Sequence, residues 1–229
     1  MDRTPEAEEA IRASSLIVGY KLYVDYLNDL VAGKEVCSTG MREEKQRCRL
    51  AIDRARQGAV VSLISSGDPG IYGMAGLVLE MLASEPQPVP VKIIPGVSAA
   101  QLAAARLGAP LTLDYACISL SDLLVPWETI RVRLEAVAAA DLVTALYNPR
   151  SMRRISQLEE AVAIFGKHRP ETTPAGIATA LGAADEKVIL TDLGHLLEHD
   201  IDMRTIVLIG NRTSRNLNGW FVTPRGYKL

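Results

Sequence analysis

Eight short apolar, β-rich runs alternate with helix-patterned segments along the whole chain, and this rhythm admits few folds. The runs are SLIVG (15–19), AVVSLIS (59–65), VKIIP (91–95), ACISLS (116–121), LVTALY (142–147), AGIATA (175–180), KVILTDL (187–193) and TIVLIG (205–210). Several are unbroken rather than alternating, the pattern of strands buried on both faces of a sheet. Between them, residues 43–58 place Cys48, Ala51, Ile52 and Ala55 on one helical face, with Gly58 beyond the last turn. Residues 98–108 open with Ser98 and Gln101 at capping-box spacing. Residues 148–165 place Asn148 as an N-cap and Pro149 at the first helical position. Strand–helix alternation of this kind predicts α/β architecture. The Gly-, Pro- and Thr-containing stretch LGAPLTLDY (107–115) separates two such series. It predicts two domains, 1–111 and 112–229.

Composition narrows the function classes. With 229 residues and 48% apolar side chains, a full core can form. Net charge is only −2, which disfavours a general nucleic-acid binder. No run of 18 apolar residues predicts a membrane span, and the acidic start MDRTPEAEEA is unlike a signal peptide. Cys37, Cys48 and Cys117 are odd in number and lack C-x-x-C spacing, so reduced thiols in a cytoplasmic protein are expected. His195 and His199 form an i, i+4 pair without a third ligand nearby. A solvated helix face is the simpler reading, and no metal is assigned.

Four loops follow strands and qualify as ligand sites: 65–73, 95–99, 146–151 and 209–215. None has the G-x-x-x-x-G-K-[ST] or G-x-G-x-x-G pattern. In SSGDPGIYG (65–73), Asp68 repels a phosphate and favours ribose hydroxyls or an ammonium group. Gly67 and Gly70 let a ligand approach the backbone. A tight turn in which Asp68 bonds its own backbone fits the same residues. PGVSA (95–99) offers either free helix N–H groups or plain capping by Ser98. LYNPRSMRR gathers Arg150, Arg153 and Arg154 at one helix start, where they oppose the helix dipole and suit ligand carboxylates, or form a solvated basic face.

Together, SSGDPGIYG, PGVSA and LYNP resemble the tetrapyrrole methylase family. VGYKLYVDYL (18–27), residues 40–58, LYNPRSMRR, DMRTIVLIGN (202–211) and VTPRGY (222–227) are similar to its precorrin-3B C17-methyltransferase subfamily, over nearly the whole chain. The resemblance implies a two-domain fold, with a mostly parallel sheet in the N-terminal domain, a mixed sheet in the C-terminal domain and the active site in the cleft between them. It implies a cytoplasmic homodimer using S-adenosylmethionine (SAM) to methylate C17 of precorrin-3B, or of cobalt-factor III, with ring contraction, in cobalamin biosynthesis. SAM contacts carry over to Ser66, Gly67, Asp68, Ile71, Ser98, Ala99, Asn148 and Gly176. Lys21, Arg42, Arg150, Arg153, Arg154 and Arg212 are expected to hold the carboxylates of the tetrapyrrole substrate. No catalytic base is assigned.

The sequence departs from the family pattern at two places. It begins at what resembles the helix after the family's first strand and G-x-G-P-G loop, so a less stable or less active protein is expected than in longer relatives. Ala180 and Leu181 stand where relatives often carry an Asn and a basic residue. Two alternatives remain: a corrinoid methyltransferase acting at another carbon, and an inactive binding protein of the same fold.

Overall fold

The computed structural model describes residues 2–27, 29–152 and 154–228. Packing divides the chain into two compact units, Asp2–Ser98 and Ala99–Leu229.

The first unit contains α1 (Pro5–Ala13), β1 (Leu16–Tyr20), α2 (Lys21–Asp25), β2 (Glu35–Thr39), α3 (Glu44–Arg56), β3 (Val61–Ile64) and α4 (Ala75–Ala83). Its three strands are parallel, in the order β2-β1-β3, with Leu16 opposite both Glu35 and Val61. The unbroken apolar run of β1 is buried on both faces, as its composition predicts. Ile17 packs with Ile11, Val24, Leu27 and Leu30, while Leu16 and Val18 pack with Ala51 on the other side. In α3 the buried apolar residues are Cys48, Ala51 and Ile52, three of the four expected, and Gly58 (φ +92°) follows its end. Two expectations fail. β2 went unpredicted because it is a mostly exposed edge strand of mixed composition. Residues 91–95 form no strand, because a strand needs a ladder partner and none lies beside them among the described residues.

The second unit contains α5 (Ala99–Leu107), β4 (Gly108–Ala109), β5 (Tyr115–Ser119), α6 (Trp127–Ala139), β6 (Val143–Tyr147), α7 (Ser156–Gly166), β7 (Pro174–Thr179), β8 (Lys187–Asp192), a 3₁₀ turn (Leu196–Glu198), β9 (Thr205–Ile209), β10 (Arg215–Leu217) and β11 (Trp220–Val222). Five strands form a mixed sheet, β5-β6-β9-β7-β8. β9 runs antiparallel to both β6 and β7, so β5, β6 and β7 point the same way. Period-2 alternation sorts the two faces. Leu146, Ile177 and Val207 pack under α6 and α7, whereas Ala145, Ala178, Ile206 and Leu208 pack under α5. On the α5 side, Ala145, Gly176 and Ala178 are small where the helix sits close. A Cβ on Gly176 of β7 would lie 2.3 Å from Leu107 Cδ1. This packing places α5 with the second unit, whereas the sequence division was drawn after residue 111.

A separate hairpin, β10–β11, turns at Asn218 (φ +53°) and Gly219 (φ +87°), an Asn-Gly pair suited to a type I′ turn. β11 pairs with β4, where Gly108 (φ +135°) leaves room for Phe221 O, 2.8 Å from where a Cβ would stand. Phe221 is fully buried among α5 and the sheet. Phe221→Ala should therefore cost about 3–5 kcal/mol of unfolding free energy, read by urea denaturation. A loss below about 1 kcal/mol would show that this ring does not tie the hairpin to the core.

Candidate functional site

The loop after β3 is shaped by Asp68. Its Oδ1 accepts the Gly70 N–H at 2.8 Å, and its Oδ2 accepts the Gly96 N–H at 3.1 Å. One carboxylate thus closes its own turn and holds the loop at 95–98. The two loops also touch backbone to backbone, since a Cβ on Gly96 would lie 2.2 Å from Gly67 O. Gly67 has φ +65°, and Tyr72 has φ +54°, an uncommon conformation for a bulky residue. Ser66, Gly67 and Ile71 are exposed on this loop, while Ser98 is buried. The hydroxyl of Ser65 is buried and has no hydrogen-bond partner among the described residues.

Two residues that the sequence reading missed stand behind this loop. Arg47, 3% exposed, donates from Nε to Thr39 Oγ1 at 2.8 Å, from Nη2 to Gly40 O at 2.7 Å and from Nη1 to Met74 Sδ at 3.5 Å. It therefore links the turn after β2 to the residue following the glycine loop. The available signal was its position four residues before Ala51, on the buried face of α3. Tyr23 stands edge-on to Tyr20 at 5.2 Å; burial raises its phenol pKa, with Ser66 among the groups that oppose the shift. Of the expected substrate cations, Lys21 is exposed and pairs with Asp25 at 3.1 Å, and Arg42 (φ +64°) lies beyond β2.

In the second unit, Asn148 follows β6 with φ +50°, so it is not an N-cap. Its Nδ2 donates to Ser119 Oγ at 3.0 Å, across the parallel pair β5–β6. Ser119 also went unrecognised in the sequence. Arg154 Nη2 donates to Asn148 O at 2.7 Å, and Ser151 and Arg154 bond each other's backbone. Residues 149–152, 154 and 155 consequently lie outside the helix, and α7 starts only at Ser156. Arg150 and Arg154 do not sit on a helix, so the dipole argument does not apply to them. Arg150 pairs with Glu159 at 3.3 Å; Arg153 lies outside the described residues. Tyr147 Oη accepts the Ala100 N–H at 3.1 Å, which brings Ala99 to the carboxyl end of β6 near Asn148.

Two expected site residues are placed elsewhere. Gly176 is a mid-strand packing position beneath Leu107. Arg212 pairs with Asp141 at 3.4 Å, before β6 begins. Because β9 is antiparallel to β6, the loop after β9 lies at the opposite end of that strand from Asn148, about 16 Å away for five residues. A concavity of about 450 Å3, lined in part by Thr191, Asp192, Ser214 and Arg215, lies near Pro174, at the amino end of β7, also away from Asn148. His195 and His199 flank a 3₁₀ turn rather than share an α-helical face. His195 Nδ1 lies 2.7 Å from Asp192 Oδ1, and His199 Nε2 3.2 Å from Thr191 Oγ1.

The sequence profile of the tetrapyrrole (corrin/porphyrin) methylases matches residues 2–197. The chain is 44% identical over 226 residues to a Salmonella typhimurium protein named probable cobalt-factor III C(17)-methyltransferase, covering 99% of this chain and 94% of that one. It is 44% identical to the cobalt-factor III methyltransferase of Priestia megaterium and 43% identical to a probable cobalt-factor III C(17)-methyltransferase of Methanothermobacter thermautotrophicus, covering 98% and 100% of this chain. It spans only 42% and 64% of those two proteins. The crystal structure of the methyltransferase CobJ superposes with TM-score 0.89 at 34% identity, over 96% of this chain and 93% of that one. Cobalt precorrin-4 methyltransferase, at 22% identity and TM-score 0.75, shares the fold.

Asp68→Ala strands two backbone N–H groups and should destabilise the protein by about 1–3 kcal/mol, visible as a fall in Tm of several degrees. An unchanged Tm would show that the carboxylate does not hold the loops. Donating a hydrogen bond to the Asp192 carboxylate raises the His195 pKa above its ordinary value. Its stabilising contribution is full below the unfolded-state pKa and is lost as pH rises through the raised one. An NMR titration of His195 should show the raised midpoint, and Asp192→Asn should return it towards about 6.5. An unshifted wild-type midpoint would contradict the pairing.

Proposed function

The chain belongs to the tetrapyrrole (corrin/porphyrin) methylase family, and on that premise we propose that it methylates C17 of cobalt-factor III, with contraction of the macrocycle. It is a SAM-dependent methyltransferase of cobalamin biosynthesis. The observation that carries the choice of substrate is the 44% identity to the Salmonella protein of that name, over 94% of its length. Precorrin-3B, which the subfamily resemblance also implies, is the metal-free counterpart.

The loops of the first unit fit the cofactor. The unsatisfied Ser65 hydroxyl and the exposed backbone of Gly67, held at φ +65°, suit a slender ligand rich in hydroxyl and ammonium donors. Ser66, Gly67, Asp68, Ile71 and Ser98 would hold it, and Ala99 and Asn148 are further cofactor contacts that the family resemblance implies. Bound SAM supplies a methyl group already activated on a sulfonium. The protein's task is then alignment, which contributes up to roughly 7–11 kcal/mol in ideal cases. Asp68 serves that task by fixing the loop backbone. Lys21, Arg42 and Arg150, with Arg153, would orient the substrate carboxylates. A homodimer in the cytoplasm is the assembly and location that the family resemblance supports.

Incubating the protein with cobalt-factor III and methyl-labelled SAM should place the label at C17 of a ring-contracted product. Label at another carbon would reassign the regiochemistry. Turnover of precorrin-3B alone would reassign the substrate. No transfer to either would overturn the proposal.

A further inference from the structure

We infer that Arg154 is a positioning residue that sets the Asn148 turn for cofactor binding, with Ser119 as its counterpart, rather than a clamp on substrate carboxylates; this rests on the reading that Asn148 contacts SAM. A carboxylate clamp needs a guanidinium that reaches solvent. Arg154 is 9% exposed. Its Nη2 donates to the Asn148 carbonyl at 2.7 Å, and its Nε is buried without a partner among the described residues. Burial lowers its pKa, with Asp122 opposing that shift from nearby. Arg150, on the same turn, instead pairs with Glu159 of α7 and is less buried.

What Arg154 holds is a strained residue. Asn148 has φ +50°, a left-handed conformation in which a short polar side chain is tolerated but not preferred. Two hydrogen bonds fix it from opposite sides. Arg154 orients the main-chain carbonyl, and Ser119 Oγ takes the side-chain Nδ2–H at 3.0 Å while also accepting the Ser121 N–H at 3.2 Å. Ser119 and Tyr147 are in register on adjacent parallel strands, so the network spans two carboxyl ends at once. With Nδ2 directed to Ser119, the Asn148 Oδ1 is the carboxamide atom left to accept from a ligand. An acceptor suits the hydroxyl and ammonium donors of SAM.

The test is calorimetric titration of the full chain with S-adenosylhomocysteine, together with substrate KM, for Asn148→Ala, Arg154→Gln, Arg154→Lys and the double variant Asn148→Ala/Arg154→Gln. Asn148→Ala and Arg154→Gln should each weaken binding about tenfold, the scale of one hydrogen bond. The double variant should be no weaker than the worse single one, because both remove the same contact. Arg154→Lys should recover part of the loss, since an ammonium can still donate to the Asn148 carbonyl. Substrate KM should change less than cofactor affinity. Binding by Arg154→Gln within twofold of wild type, additive losses in the double variant, or a rise confined to substrate KM would overturn the inference and restore the clamp. Unchanged binding by Asn148→Ala would instead remove the cofactor contact itself, and the inference with it. If Arg154→Gln fails to fold, Ser119→Ala carries the same test: a severalfold loss supports the network, and wild-type affinity refutes it.

Discussion

A single carboxylate, that of Asp68, accepts backbone N–H groups from two loops that are separate in sequence. The first-unit site depends on this. A glycine-rich loop loses much conformational freedom on ordering, and nothing in its own composition selects one shape. Asp68 selects it by closing the turn to Gly70 and fixing the distance to Gly96. The glycines then follow as steric requirements, because a Cβ at Gly96 would meet Gly67 O and one at Gly73 would meet Pro69 O. The aspartate that the sequence marks as a ligand group is first of all the group that builds the loop.

Buried arginines do comparable work elsewhere. Arg47 donates to Gly40 O, Arg154 to Asn148 O, and Arg169 to Leu142 O and Gly210 O, with the Arg169 guanidinium also over the Phe165 ring. Each secures carbonyls at the end of a strand or the start of a loop, where regular pairing stops. Desolvation accompanies this role and pushes the Arg169 pKa down to about 10, with Asp141 opposing the shift. The three side chains are themselves buried, which sets them apart from exposed cations such as Lys21.

The α/β alternation, seven of the eleven strands and the loops carrying the motif were legible in the sequence, because burial on both faces leaves an unbroken apolar signature. Other features were not, for identifiable reasons. The strand direction of β9 is not written in its apolar run, so Arg212 was grouped with Asn148 although an antiparallel strand carries it to the other end. Pro149 after Asn148 imitates a helix start, and only the bond from Arg154 to Asn148 O shows why the chain turns there first. β2 has too little apolar content to signal a strand. The hairpin at Asn218–Gly219 did carry a recognisable turn signal that the apolar runs overshadowed.

The central claim is that the loops joined by Asp68 form a wall of the cofactor site. Amide chemical-shift mapping with S-adenosylhomocysteine tests it directly. The account predicts that the largest shifts fall on the backbone of residues 66–71 and 96–98. Shifts confined to the concavity around Thr191, Asp192 and Ser214, with the glycine loop unmoved, would contradict it.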